Sequence, residues 1–327
     1  MSTTTLLTPP TSSTPTHTLT LSQLAPTIAS AASSSTLPYP LSLLSTSETQ
    51  EKWLTLENLL LATLRTGDNT TAYLCLETLR DRFGAENERV TALRGLYAEA
   101  MASDQSELDD VMTHYEEILK EDPATFSIRK RRAALLKSMG KTAAAVDAVV
   151  NLLDTSPTDA EAWAEVGELY ARAGMWEQSI FAWEEVVLLL PNAWNVQAKL
   201  GEVLFAAAGR GREDGEGGVR LLAESLRRFG RSVELCDGYL RGFYGLKVTT
   251  AKLMDALPTA KNSRTEPGEL PLPTLQSVTK LNEIATAKLA EIIRRSSSGE
   301  KDWDGYNAAE IAAARALLAE GVPQITR

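Results

Sequence analysis

Apolar positions in the middle of the chain recur at helical spacing and in a fixed order of sizes. From Ala160 the run reads Trp163, Val166, Gly167 and Tyr170, passes Gly174, continues with Ser179 and Trp183, and stops at Pro191. Steps of three and four residues put each set on one face of a helix, and a glycine between the sets marks the end of the first. The pattern therefore predicts two amphipathic helices joined at Gly174. The segment from Phe126 to Pro157 keeps the same order with Ala133, Leu136, Gly140 and Ala145, although Arg129 stands where the tryptophan would be. Pro123, Pro157 and Pro191 lie 34 residues apart.

A helix pair repeated every 34 residues, with W-x2-L-G-x2-Y, then A-x3-F, then P, is the tetratricopeptide pattern. No such pair buries its apolar face alone, so neighbours stack. The expected fold is all-α, a tetratricopeptide-repeat solenoid (an α-α superhelix) closed by C-terminal capping helices. Trp163, Gly167, Tyr170, Trp183 and Gly201 are the expected packing residues, the glycines admitting a neighbouring helix and the aromatics filling the space between. An earlier unit ends at Pro123 and carries Tyr115 and Ile118. A later one opens with Trp194, Leu200, Gly201 and Leu204, its second helix (219–229) delayed by the glycine-rich insertion 209–218. Upstream, 50–65 and 71–83 read as one more pair across Gly67; downstream, 233–254 reads as helical and continues the array. The array is thus expected over 48–256, a Pro-rich linker over 257–274, and capping helices over 275–327, where Leu281, Ile284, Leu289 and Ile292 recur at helical spacing.

Composition separates the beginning of the chain from the rest. The first 47 residues hold 23 Ser or Thr and no Asp, Glu, Lys or Arg. They lack the basic and apolar regions of a signal peptide, and the expectation is a largely disordered tail with one candidate docking segment, 19–28. On that reading its deletion leaves assembly intact. The whole chain has 43% apolar residues and a formal net charge of −10, a balance that argues against nucleic acid as partner. No stretch approaches the roughly 20 apolar residues of a membrane span. Two cysteines far apart, Cys75 and Cys236, suggest buried thiols in a reducing compartment.

Candidate chemistry is sparse. His17 and His114 have no metal-ligand spacing with each other or with a cysteine, and neighbouring carboxylates such as Glu184 and Glu185 point in different directions on a helix. No catalytic residue, metal or cofactor is nominated. The run Arg129, Lys130, Arg131, Arg132 fans through about 300° of a helix. Its two readings are solvated helix surface and an electropositive spot for an acidic partner segment.

Four stretches together resemble subunit 2 of the endoplasmic reticulum membrane protein complex: 122–141, with its basic run after an Asp-Pro turn; 159–170; 181–185; and Arg241-Gly-Phe-Tyr-Gly-Leu246. The resemblance spans about Tyr115 to Lys247. It implies a non-catalytic scaffold at the cytoplasmic face of the endoplasmic reticulum membrane, hetero-oligomeric with the complex's other subunits and membrane-associated through them. Its groove would be lined by Ser127, Lys130 and Ala134, by Glu161, Ala164 and Glu168, and by Asn195, Ala198 and Glu202. The alternative is a tetratricopeptide co-chaperone or peptide-binding adaptor for a soluble partner. Against a co-chaperone that grips an acidic tail stand the carboxylates Glu161, Glu165, Glu168 and Glu202.

Overall fold

A computed structural model describes residues 6–10, 15–33, 49–209, 216–258, 270–301, 303 and 305–320. These form fourteen α-helices, and no strand occurs among the described residues. The chain divides into two compact units, Met1–Leu152 and Leu153–Arg327. The first contains α1 (Pro15–Ser33), α2 (Gln50–Thr66), α3 (Asn69–Phe83), α4 (Glu88–Met101), α5 (Gln105–Glu121) and α6 (Phe126–Ser138); the boundary falls within α7 (Thr142–Thr155). The second contains α8 (Ala160–Arg172), α9 (Trp176–Leu189), α10 (Trp194–Ala208), α11 (Glu216–Leu235), α12 (Leu240–Ala256), α13 (Leu275–Ser298) and α14 (Ala308–Glu320). This is the all-α tetratricopeptide-repeat fold that the 34-residue period predicts.

Short polar side chains set the helix starts. Thr49, Asp68, Asn87, Asp104 and Asp159 each accept a backbone N–H from the first turn of the helix that follows, satisfying a donor that has no partner within the helix. Gly140 and Gly174, one repeat apart, close the first helices of successive pairs at φ 74° and 75°, a left-handed conformation that glycine adopts without a Cβ penalty.

One device sets the spacing inside three of the pairs: a glycine on the first helix receives an aromatic ring from the second. A Cβ added at Gly95 would lie 2.3 Å from the Tyr115 hydroxyl, one at Gly167 would lie 2.8 Å from the Trp183 indole nitrogen, and one at Gly201 would lie 3.1 Å from the Phe229 ring. In the second unit a serine locks the contact. Ser179 donates to the Gly167 carbonyl and Ser225 to the Gly201 carbonyl, both buried and both 2.8 Å. The serine follows its glycine by 12 residues in one pair and 24 in the next. The same contact thus forms on either side of a difference of 12 residues in spacing. Residues 210–215 of the insertion lie outside the described residues. Of the other expected packing residues, Trp183 is enclosed, Tyr170 is half-buried, and Trp163 is half-buried with its indole N–H donating to the Pro157 carbonyl at 2.8 Å.

Three expectations are corrected. Residues 15–33, placed by composition in a largely disordered tail with 19–28 as a candidate docking segment, form a helix that docks over more than that segment, with Leu21, Ala25 and Ala29 fully buried against Leu56, Leu59, Leu60 and Cys75. The Ser22 and Thr66 hydroxyls meet at 2.6 Å, Asn58 donates to the Leu6 carbonyl at 3.1 Å, and Arg65 donates to the Pro10 carbonyl. Small residues at steps of four let α1 approach closely, so packing rather than helix propensity makes it helical. Second, 233–254 is helical except at a turn: α11 runs on to Leu235, and the turn Cys236–Tyr239, closed by Tyr239 N–H to the Cys236 carbonyl at 3.1 Å, begins α12 afresh. Third, α13 buries Val278, Ala285, Leu289 and Ile292, while Ile284 is 56% exposed. With Ile311 and Ala314 of α14, these join the core formed by Phe229, Phe243, Leu246 and Leu253, so both C-terminal helices cover the end of the second unit's core. Residues 259–269 of the expected linker lie outside the described residues.

Candidate functional site

In the second unit the first helices of successive pairs are α8, α10 and α12, and their charges alternate across the face they share. Glu168 of α8 meets Lys199 of α10 at 2.5 Å; Lys199 lies 3.8 Å from Glu202; Glu202 meets Arg241 of α12 at 2.8 Å. Lys199 also sits 5.8 Å over the Trp183 ring. Burial alone would lower the Arg241 pKa, but Glu202 outweighs it and holds the guanidinium above its ordinary range.

Beside this ladder lies a pocket of about 340 Å³ lined by Glu202 and Phe205 of α10, Phe229 of α11, and Arg241, Tyr244, Gly245, Val248 and Thr249 of α12. Its floor is aromatic and aliphatic, and its polar rim is the Glu202–Arg241 pair. Lys252 stands 5.9 Å over the Phe205 ring. Gly245 shapes the floor, because a Cβ there would lie 2.1 Å from Phe229. Such a site suits a single apolar side chain of a peptide whose polar groups reach the ion pair. Nothing in it forms a nucleophile–base arrangement.

The residues nominated from the sequence are distributed unevenly. Glu168 and Glu202 come together through Lys199, and Asn195 is exposed. Ala198 is 1% exposed and belongs to the core rather than to the groove, because the register of α10 turns it inward. Ala164 is half-buried against the Trp183 and Leu200 cluster. Glu161 lies at the start of α8, where its N–H donates to Asp159 at 3.0 Å. In the first unit, Ser127 is tied to α4, its N–H donating to Glu88 at 2.9 Å, and Lys130 and Ala134 are half-buried. Because Lys199 and Arg241 neutralise two of the four carboxylates, repulsion of an acidic tail is weaker than their number suggests. The same two cations are engaged by carboxylates, so they form no ready clamp for a terminal carboxylate.

The basic run is largely compensated inside the first unit. Arg131 forms a bidentate pair with Glu99, which also accepts from the Tyr115 hydroxyl at 2.5 Å. Arg132 meets Glu116 at 3.2 Å, and Arg129 donates to the Asn151 carbonyl at 3.1 Å. Burial, reinforced by Glu99, pushes the Tyr115 hydroxyl well above its ordinary pKa. The Glu99 and Arg131 side chains are 12% and 26% exposed, enough shielding for the pair to matter and enough solvent to moderate it. Replacing Glu99 with alanine should lower the unfolding free energy by about 2 kcal/mol, measured in urea, through the stranded Tyr115 hydroxyl and Arg131 guanidinium.

The sequence reading missed Lys199, Phe205, Tyr244, Gly245, Val248 and Thr249. The stretch Arg241–Leu246 stood out as a motif, but its register on α12 follows an insertion that breaks the 34-residue count. Burial pushes the Cys75 thiol up to about 12, and Cys75 and Cys236 are both unpaired thiols. Among the described residues no group of His, Cys, Asp and Glu could hold a metal ion, and no helix is long and apolar enough to cross a membrane.

A family model described as the EMC2 TPR-like repeat domain matches residues 83–204. The TPR repeat protein oca3 of Schizosaccharomyces pombe is 36% identical over 205 residues, which cover 63% of this chain and 68% of that one. ER membrane protein complex subunit 2 of Xenopus tropicalis is 29% identical over 201 residues, 62% of this chain and 63% of the frog protein. The Saccharomyces cerevisiae protein of the same name is 25% identical over 191 residues, 56% of this chain and 63% of its own. The chain thus spans somewhat less than two thirds of these two subunit 2 proteins.

Proposed function

Because the chain belongs to the family of ER membrane protein complex subunit 2, we propose that it is a non-catalytic scaffold subunit of that complex, held at the cytosolic face of the endoplasmic reticulum membrane. There it organises cytosolic parts of the membrane-embedded subunits and so supports insertion of tail-anchored and multipass proteins. The observation that carries this reading is the match of the EMC2 TPR-like repeat domain to residues 83–204, beside 29% identity over 201 residues to the frog ER membrane protein complex subunit 2. The geometry supports it with a surface suited to binding. The alternating ladder from Glu168 to Arg241 offers an extended segment both signs of charge, and the pocket floored by Phe205 and Phe229 takes one anchoring side chain. Attachment through partners accords with the absence of a membrane-crossing helix among the described residues.

The test is affinity purification of the tagged chain from detergent-solubilised membranes at moderate salt, with mass spectrometry of what remains bound. The expected result is a stoichiometric set of multipass membrane proteins. Recovery of soluble chaperones alone, or of nothing, would return the chain to the class of peptide-binding adaptors.

A further inference from the structure

The second helix of the Ala160–Pro191 pair carries a face that the ladder and pocket do not use. On α9, Glu177, Phe181, Glu184 and Leu188 follow one another at steps of four, three and four, which places them in a single stripe along the helix. Ser179, Ala182, Trp183 and Val186 take the opposite side and are buried. Large apolar side chains on an outward stripe are unusual in their exposure: Phe181 is 55% and Leu188 72% accessible. Trp163 of α8 extends the apolar surface by meeting the Phe181 ring edge-on at 5.9 Å.

Charge narrows the partner. The sequence of α9 contains Glu177, Glu184 and Glu185 and no Lys or Arg, and no ion pair joins any of the three among the described residues. Other carboxylates of the same unit are paired, Glu168, Glu202, Glu224 and Glu291 each with a lysine or arginine. Two exposed apolar anchors one heptad apart, flanked by uncompensated carboxylates, complement a helix with apolar residues at heptad spacing and lysines or arginines beside them. The same carboxylates oppose an anionic lipid surface and oppose pairing with a second copy of this face.

We propose that the Phe181–Leu188 face of α9 is a docking surface for a basic amphipathic helix presented by a partner chain. The partner's apolar residues cover Phe181 and Leu188, and its basic residues pair with Glu184 and Glu185. This surface is made of residues distinct from those of the pocket, so its occupancy is read independently of the scaffold assignment.

The test uses the purified full chain and a labelled 18-residue peptide with leucines in a helical stripe flanked by lysines, followed by fluorescence anisotropy. A matched peptide with glutamate at each lysine is the control. The lysine peptide is expected to bind and the glutamate peptide not. Leu188→Asp separates docking from simple charge attraction: it adds negative charge, so bulk electrostatics would tighten binding, whereas a docked interface weakens at least tenfold. Glu184→Lys with Glu185→Lys should reverse the preference toward the glutamate peptide. All three positions are on the helix exterior, and an unchanged thermal midpoint confirms that each variant is folded. Equal binding of both peptides, no binding, or tighter binding by Leu188→Asp would overturn the proposal. So would Leu188-dependent binding to phosphatidylserine vesicles, or Leu188-dependent dimerisation in sedimentation equilibrium.

Discussion

Replacing Gly245 with leucine is expected to lower the stability of the second unit by about 3 kcal/mol and to abolish whatever binds in its pocket. The Cβ alone would overlap the Phe229 ring at 2.1 Å, and Phe229 is 2% exposed, wedged between Gly201 and Gly245. Open space beside the ring is the pocket that it lines. Displaced that way, the ring fills the pocket, which on the proposed reading takes a partner's side chain. The smaller change Gly245→Ala therefore separates two effects. Its stability cost should be nearer 1–2 kcal/mol, because the pocket accommodates part of the shift, yet partner binding should fall almost as far as with leucine. Urea unfolding gives the first quantity and retention of partners on purified tagged protein gives the second. Retained binding by Gly245→Ala in a folded chain would show that the pocket is not the anchoring site.

Leu21→Asp should detach α1, with a loss of about 3 kcal/mol in the first unit's stability. Leu21 is fully buried, and burial of one leucine is worth roughly 1.5–3 kcal/mol, to which an unpaired carboxylate in the same place adds a desolvation cost. The effect has a ceiling. Once the helix leaves, the charge is in water, and the cost becomes the docking free energy of α1: Leu21, Ala25, Ala29 and the Ser22–Thr66 hydrogen bond. Alone, a 19-residue segment rich in Ser and Thr with an internal proline is a poor helix, so detachment and unfolding coincide. Hydrogen exchange should lose protection over 15–33 and over the faces of α2 and α3 beneath it. Deleting residues 1–33 should do the same, in place of the neutral outcome that composition suggests.

These two sites mark where the sequence was and was not legible. The repeat pairs could be read because their packing is local. Gly167 meets Trp183 sixteen residues later, Gly140 and Gly174 recur at one period, and a hydrophobic face at 3.6-residue spacing needs only its immediate neighbour to be satisfied. Helix α1 was readable only in part: 19–28 stood out as a candidate docking segment, but its apolar stripe consists mainly of alanines, and nothing announces that Thr66 awaits Ser22, or Asn58 and Arg65 the carbonyls of Leu6 and Pro10 just before the helix, more than 40 residues away. The pocket failed for a related reason. The positional rule for groove residues carries from one unit to the next only while the count of 34 holds, and the insertion before α11 interrupts it. The groove rule erred at Ala198 as well, where a position expected to face outward is covered by its neighbours.

The sequence by itself determined the all-α repeat fold and the helix pairs with their glycine and proline punctuation, because these depend on residue types at short, regular separations; the family entered through a resemblance in four particular stretches. The tertiary structure decided which charges remain available, pairing Arg131 with Glu99 and Arg241 with Glu202 while leaving the carboxylates of α9 without a cation. It also turned part of the apparent tail into core and placed a pocket behind Gly245. Each of those outcomes rests on contacts between separate helices, and a contact of that kind is set by how the helices stack, which no single segment's periodicity encodes.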